Sequence, residues 1–565
     1  MSHRLTLLVL IVVSGLMSLA AFIPVITSDS FRGVMPRLVD DDLYYYARMR
    51  EVFDGNLMVG NPYFLEHAEA PSVAFSLTDV VAATPLLLGM PFVAVVITNH
   101  ILWSILFVVL TYWLVYLITR HRYVSAFGAI FAYVQVYWLI LRPVIMQQVF
   151  PFFTLFLISF FYWLESTTSK KRIVALTLSA AATFYIYGFL WQVVFFIMLV
   201  GLLLKIMQRA WGDVRTLLLV AGGVAILALP AIIYAVQGFS DLIFWETLDR
   251  VGLVFTRLPA LDSYYYGRWM IFLLATGWVI HRWLNIKQRP IITRTALGLF
   301  LASVSAVAVG SDFATGQHVG RFITFFFSIA IIVQLYDVWE QRDAMKEVSS
   351  LKISTLLVLL SIGSAFLINN VQRAVPLGRL SIGGTSSVQS IAEPLRWLEA
   401  YVPEKSVVMA NDVLSSYIPI MTKHAVAWSH AGSLYHMSIA EVEERFFMAQ
   451  SSALSRDQVL AKLGEIDGAG IERRLADSYH KQQLRCLLFM PCHPTTSLSR
   501  FVGAERLDRL MIVQDRIRSD MYAALQRYNV DYLLVDTFVD IVPSTIMKYC
   551  VIVWNDDRYI IYKIN

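Results

Sequence analysis

Residues 170–205 read KKRIVALTLSAAATFYIYGFLWQVVFFIMLVGLLLK, and the apolar part, Ile173–Leu204, is 32 residues long. A helix crosses a bilayer in about 20 residues, so this stretch is long for one span and short for two. Its flanks decide. Lys170-Lys171-Arg172 precede it, and Lys205, Arg209 and Arg215 follow. Because Lys and Arg collect on the cytoplasmic side, both ends face inward and the chain crosses an even number of times, turning near Tyr187-Gly188. The sidedness of everything downstream depends on that turn.

Working outward, Leu5–Ile26 is apolar behind the basic His3-Arg4 start, and Pro24-Val25-Ile26-Thr27 offers no small-x-small cleavage site. It reads as a retained signal-anchor. Further apolar segments run over Val93–Ile118, Tyr123–Leu141, Val149–Leu164, Thr216–Gln237, Trp269–Leu284, Thr295–Gly310, Phe322–Trp339 and Ile353–Ile368. With the two halves of Ile173–Leu204 they make about eleven spans. Arg120/Arg122, Arg282/Lys287/Arg289/Arg294 and Arg342/Lys346/Lys352 then all fall inside. The expectation is an α-helical polytopic protein of the cell (inner) membrane with a cytoplasmic N-terminus. Residues 1–369 form the membrane module, with a long first outer loop, 27–91, and residues 370–565 form an extracytoplasmic α/β domain. Two other outer segments, Gly238–Gly267 and Ser311–Gly320, are candidates for function, the former read as a solvated loop carrying interfacial tyrosines.

Composition agrees. Of 565 residues 57% are hydrophobic and 15% charged, and the mean hydropathy is +0.61; disorder and small disulfide scaffolds are excluded. A net charge of +5 with no basic stripe interleaved with aromatics gives nucleic acid no footprint. After Asn369 charged residues return. Ser406–Ala410, Ala425–Trp428, Tyr532–Val535, Val551–Trp554 and Tyr559–Tyr562 have strand length, and Ile391–Tyr401, Ile439–Gln450, Arg456–Leu463 and Met521–Tyr528 read as helices. Cys486, Cys492 and Cys550 are too few for a disulfide framework but allow one bridge in an exported domain.

The chemistry concentrates in Asp40-Asp41-Asp42-Leu43-Tyr44-Tyr45-Tyr46-Ala47-Arg48, a dozen or so residues past the first span. Adjacent carboxylates repel, which suits either a base that takes a hydroxyl proton or a ligand for a divalent cation. A helix cap made by an acidic first turn explains the same residues equally well. Glu66-His67-Ala68-Glu69 lacks the further ligands a zinc centre needs.

A first span, an outer loop with Asp-Asp-x-Tyr-Tyr, a short helix ending in Asp54-Gly55-Asn56, then Gly60-Asn61-Pro62-Tyr63, resembles the first loop of GT-C-type membrane glycosyltransferases. Asp42-Leu43-Tyr44-Tyr45-Tyr46-Ala47-Arg48 is distantly similar to the Asp-Pro-Trp-Phe-Asn-Tyr-Arg pattern of the oligosaccharyltransferase catalytic subunit. The resemblance implies a polyprenyl-phosphate-linked sugar donor and an inverting transfer to a glycan, lipid or protein acceptor on the outer face, with membrane lipids as surroundings. Asp42 becomes the catalytic base and Asp41 its assistant. Arg321, Arg142 and His318 become the donor-phosphate contacts, since a guanidinium fork suits phosphate oxygens. The chain departs from that family after Ser406–Ala410, where Ala410-Asn411-Asp412-Val413-Leu414 stands in place of Trp-Trp-Asp-Tyr-Gly. It departs again at Arg142–Gln148, which carries no carboxylate. A monophosphate donor and no required cofactor fit these departures; a divalent cation held at Asp40 and Asp42 is the alternative. The competing classes are a lipid-linked glycan polymerase, a non-catalytic membrane scaffold whose soluble domain binds a partner, and a flippase or transporter. The last needs ionisable residues at mid-span, where the sequence has almost none.

Overall fold

The stretch 170–205 folds as two helices, Lys170–Ile186 and Leu190–Met207, and the chain turns between them at Tyr187-Gly188-Phe189. The second carries Lys205 in its last turn, where a cation faces the negative end of the helix dipole. The computed structural model describes residues 2–38, 41–72, 75, 77–284, 289–313, 315–340, 363, 388–494, 497–542 and 544–565.

The chain divides into two compact units. The first contains Met1–Ser28, Met90–Ile233 and Pro259–Ile382. Seven helices among the described residues are long and apolar enough to cross a membrane: His3–Ala20, Phe92–Thr119, Arg122–Ile140, Ile145–Glu165, Leu190–Met207, Trp211–Phe239 and Gln317–Glu340. Lys170–Ile186, Leu261–Leu284 and Pro290–Ser303 are helices at three further predicted spans, the first and last shorter than a full crossing. The eleventh predicted span, Ile353–Ile368, lies outside the described residues apart from Gly363. The interior of this unit is aromatic: Phe107, Phe150, Phe153, Phe322 and Phe325 are all fully buried and meet at centroid distances of 5.0–6.2 Å. The helix Trp211–Phe239 is the opposite case, exposing Leu218, Leu219 and Ile226, side chains that suit lipid tails.

The second unit gathers Asp29–Gly89, Tyr234–Leu258 and Gly383–Asn565. A division at residue 369 leaves the first outer loop with the membrane helices, whereas the chain's packing groups that loop with the C-terminal residues. The centre is a five-stranded sheet of β1 (Val407–Met409), β2 (Ala425–Val426), β3 (Val530–Asp536), β4 (Cys550–Asn555) and β5 (Tyr559–Ile564), in the order β2-β1-β3-β5-β4. β1 runs parallel to β2 and β3, while β3, β5 and β4 are antiparallel. All five strands fall where short apolar runs place them, and Asn555-Asp556-Asp557 makes the β4–β5 turn. Val407, Leu533, Val535 and Tyr562 pack with Met448, Ile517 and Leu525 in one core.

The edge strand β2 is closed by the first loop: the Val426 N–H donates to the Tyr63 carbonyl at 2.7 Å. Pairing an open edge removes its unsatisfied backbone groups. Gln389 makes a second tie, accepting from the Arg32 N–H at 2.8 Å and donating to the Val34 carbonyl at 2.8 Å.

Candidate active site

The acidic stretch starts the helix Asp42–Phe53. Asp41 occupies the N-cap position, yet its side chain makes no capping hydrogen bond. Asp42, the first residue of the helix, accepts from a backbone amide that precedes it. Its carboxylate is fully buried, and Oδ2 accepts the backbone N–H of Leu38 at 2.7 Å, which fixes the direction of the carboxylate. Two phenols stand against it. Burial, and then the Asp42 charge, push the Tyr46 hydroxyl well above its ordinary range. Tyr417 is pushed up to about 12, chiefly by burial and also by Asp42. Both therefore keep their protons at neutral pH. Asp40 lies outside the described residues.

Two turns further on, Arg48 is also fully buried. Its Nη2 donates to Asp79 Oδ2 at 2.7 Å, Nε reaches both Asp79 oxygens, and Nη1 donates to Ser72 Oγ at 2.8 Å. Asp79, itself fully buried, comes from the helix Leu77–Leu87, so this pair ties the two helices of the first loop together. Burial raises the Asp79 pKa and Arg48 opposes that rise. Beside the pair, Tyr44 stacks on Tyr435 at 4.8 Å.

Gly60-Asn61-Pro62-Tyr63 positions this assembly. A Cβ on Gly60 would lie 2.0 Å from the Ala68 carbonyl oxygen, so only glycine allows the chain to double back here. Asn61 Nδ2 donates to the Gly432 carbonyl at 3.0 Å, and the Tyr63 hydroxyl donates to the Leu43 carbonyl at 3.1 Å, next to Asp42. Next to it, Glu66 pairs with Arg445 at 3.0 Å and His67 Nε2 hydrogen-bonds Glu441 at 3.0 Å. Among the described residues no three His, Cys, Asp or Glu side chains gather as a cation site.

The segment Gly238–Gly267, read from the sequence as solvated, instead folds through the helix Leu242–Arg250. Asp241 caps that helix by accepting the Ile243 N–H at 2.9 Å and meets His436 at 2.7 Å. Arg250 is buried and donates to the carbonyls of Ser433, Tyr435 and Met437, which sets the backbone that presents Tyr435 to Tyr44. Burial lowers its pKa to about 10. Sequence reasoning reads Arg250 as solvated with the rest of its segment and misses Asp79, Tyr417 and Tyr435. Only Asp79 carries a sequence signal, as the lone charge in the apolar run Phe75–Gly89.

In the first unit, Arg321 and His318 come together through Tyr187. Arg321 Nη1 donates to the Tyr187 hydroxyl at 2.9 Å and lies 3.3 Å from Met146 Sδ; the Tyr187 hydroxyl also hydrogen-bonds His318 Nδ1. His318 stacks flat on Phe189 at 3.8 Å. Both residues lie on the helix Thr315–Glu340, so the predicted outer loop Ser311–Gly320 is in large part helical. Arg321 meets no carboxylate among the described residues. Arg142 is half-buried in the turn joining the helices Arg122–Ile140 and Ile145–Glu165.

No protein-family model matches the chain, and no curated protein sequence does. Among solved structures it is similar to ArnT from Cupriavidus metallidurans bound to undecaprenyl phosphate, at 11% identity and a TM-score of 0.43, over 98% of this chain and 97% of that one. It is likewise similar to ArnT from the same organism in the apo state, at 11% identity and a TM-score of 0.42, over 100% and 98%.

Proposed function

We propose that the chain is an inverting GT-C-type glycosyltransferase that moves a sugar from a polyprenyl phosphate to an acceptor hydroxyl on the outer face of the membrane. The observation that carries this reading is the placement of Asp42: a buried carboxylate at the start of its helix, directed by the Leu38 N–H. Asp42 takes the proton of the acceptor hydroxyl. The freed oxygen attacks the anomeric carbon from the face opposite the phosphate, and the electron pair of the breaking C–O bond goes to the phosphate oxygen. General-base help of this kind is worth about 10²–10⁴-fold in rate. Asp41 assists, next in sequence.

The leaving polyprenyl phosphate gains negative charge as the bond breaks, and a fixed cation placed there favours the transition state. Arg321 takes that role, since its nearest partners are a phenol and a thioether, neither of which neutralises it. His318 and Tyr187 hold its direction, and Arg142 adds a second cation. This chemistry requires no cofactor. The Cys486–Cys492 disulfide in the second unit supports an extracytoplasmic location, because such bridges persist in oxidising compartments.

The test compares cells that carry the gene, lack it, or carry Asp42→Asn. Glycan analysis of the envelope should show one sugar substituent present only with the wild-type chain, with its lipid-phosphate precursor accumulating in the other two strains. Unchanged glycans and lipid-linked sugars across all three would reject the transferase. In native mass spectrometry the purified chain should retain undecaprenyl phosphate, used as the probe, and Arg321→Ala should weaken that binding.

A further inference from the structure

The second unit carries a long arm with an apolar end. The helix Leu463–Leu487 kinks at Gly468, where φ is +60° and a Cβ would lie 2.3 Å from the Arg250 carbonyl oxygen, so glycine lets the helix base sit against the helix Leu242–Arg250. From Ala469 to Leu487 it runs on for about 28 Å at 1.5 Å per residue. Among the described residues from Glu472 to Arg506, none is fully buried. At the far end the chain turns through Leu487-Leu488-Phe489-Met490, closed into a small loop by the Cys486–Cys492 disulfide. These four side chains are 75%, 61%, 98% and 48% exposed. Phe489 stands in the left-handed region at φ +56°, uncommon for a bulky residue, and the disulfide-closed loop holds it there.

Charge says what covers this tip. Between Asp477 and Glu505 the sequence contains no acidic residue, while Lys481, Arg485 and Arg500 flank the apolar turn together with His480 and His493. Lys481 pairs with Asp477 at 2.6 Å, which leaves Arg485 and Arg500 as the cations nearest in sequence, and exposed Leu, Phe and Met side chains in so basic a stretch suit the headgroup boundary of a bilayer that contains anionic lipid. The chain already lies at a bilayer through its apolar helices.

We propose that Leu487–Met490 inserts into the interfacial region of an anionic bilayer, so that the arm is a second membrane anchor for this unit. The inference stands whether or not the chain is a transferase.

The test places the photoreactive residue benzoylphenylalanine at position 489 of the full chain, reconstituted in nanodiscs of phosphatidylethanolamine and phosphatidylglycerol. Position 538 serves as control, since Phe538 is exposed in the same unit and the guanidinium over its ring, that of Arg558, is neutralised by Asp536 at 2.6 Å. After illumination, lipid adducts on the peptide should be roughly fivefold or more frequent at 489 than at 538, the factor expected from even one basic residue near an anionic surface. Combining Lys481→Glu, Arg485→Glu and Arg500→Glu should lower the yield at 489 in anionic nanodiscs and leave it unchanged in phosphatidylcholine nanodiscs. Lipid yield at 489 no higher than at 538, or adducts confined to a second copy of the chain or another polypeptide, would overturn the proposal. An open side chain such as Phe489 makes no folding contact, so loss of fold does not confuse the result.

Discussion

The start and the middle of the helix Asp42–Phe53 bury opposite charges in different ways. At Arg48 the charge is closed: a fully buried carboxylate, Asp79, meets the guanidinium, and Ser72 takes a further donor. At Asp42 the carboxylate is equally buried but is directed by a backbone N–H and lined by phenols that keep their protons. Arg321 in the membrane unit resembles Asp42 in this respect, being oriented by Tyr187 and Met146 without a carboxylate among the described residues. Under the proposed function the Arg48–Asp79 pair holds structure together, while Asp42 and Arg321 act on the reactants. That distinction separates stability from activity, and substitutions can test each side.

The largest effect belongs to Asp42→Asn. The amide keeps the volume and an oxygen for the Leu38 N–H, so the fold should stay, while sugar transfer should fall by about 10²–10⁴-fold. Transfer measured per folded molecule is the check. Near-normal transfer from well-folded protein would return Asp42 to the structural side of the comparison.

Asp79→Asn should show the reverse pattern. It leaves Arg48 buried without its carboxylate, a change that costs about 3–5 kcal/mol. Thermal denaturation in detergent should show a clearly lowered midpoint, with transfer per folded molecule little changed. Arg48→Met combined with Asp79→Leu should recover most of that loss, because apolar replacement of a whole buried pair is often close to neutral. A double variant no better than Asp79→Asn would mean that the pair does more than clamp two helices.

If Arg321 holds the leaving phosphate as proposed, Arg321→Ala should cost a charge-assisted contact worth about 1.5–3 kcal/mol. Lys at this position should recover only part, since an ammonium cannot form the bidentate fork. Transfer should also survive EDTA. Activity silenced by EDTA, rescued by magnesium or manganese and indifferent to Arg321→Ala would move the phosphate to a metal at the acidic run and end the parallel with Asp42.

How much of this was legible in the sequence follows the range of each signal. The turn at Tyr187-Gly188 is readable because span length and flanking cations are local properties, and the five strands are readable because short apolar runs mark them. The attachment of Asp29–Gly89 to the C-terminal residues is not, since it depends on a Tyr63 carbonyl meeting Val426 and on Glu66 meeting Arg445, hundreds of residues away. Arg250 misleads for a related reason: an arginine in a polar segment reads as solvated until the carbonyls of 433–437 surround it. The Asp42 stretch suits base and cap alike, and the direction of the carboxylate toward the Leu38 N–H is not readable from sequence.

The smallest effect tests the closed side of the comparison at a second place. Glu443 is buried on the helix Ile439–Ala449, accepts from Arg509 at 2.8 Å and pairs with Arg506, which also meets Asp467 at 2.9 Å. Burial pushes its pKa up to about 7, against the pull of Arg506, with Asp467 and Glu246 adding to the rise. A carboxyl whose folded pKa exceeds its unfolded value of 4.5 holds more protons when folded. Its contribution is therefore complete below pH 4.5 and is lost as pH rises through 7, with a slope of at most about 1.4 kcal/mol per pH unit for one proton. Glu443→Gln cannot titrate, so denaturation midpoints of the full chain between pH 4.5 and 7 should fall less steeply with rising pH than those of the wild type. Identical slopes would mean that Arg506 and Arg509 keep Glu443 ionised in the folded chain.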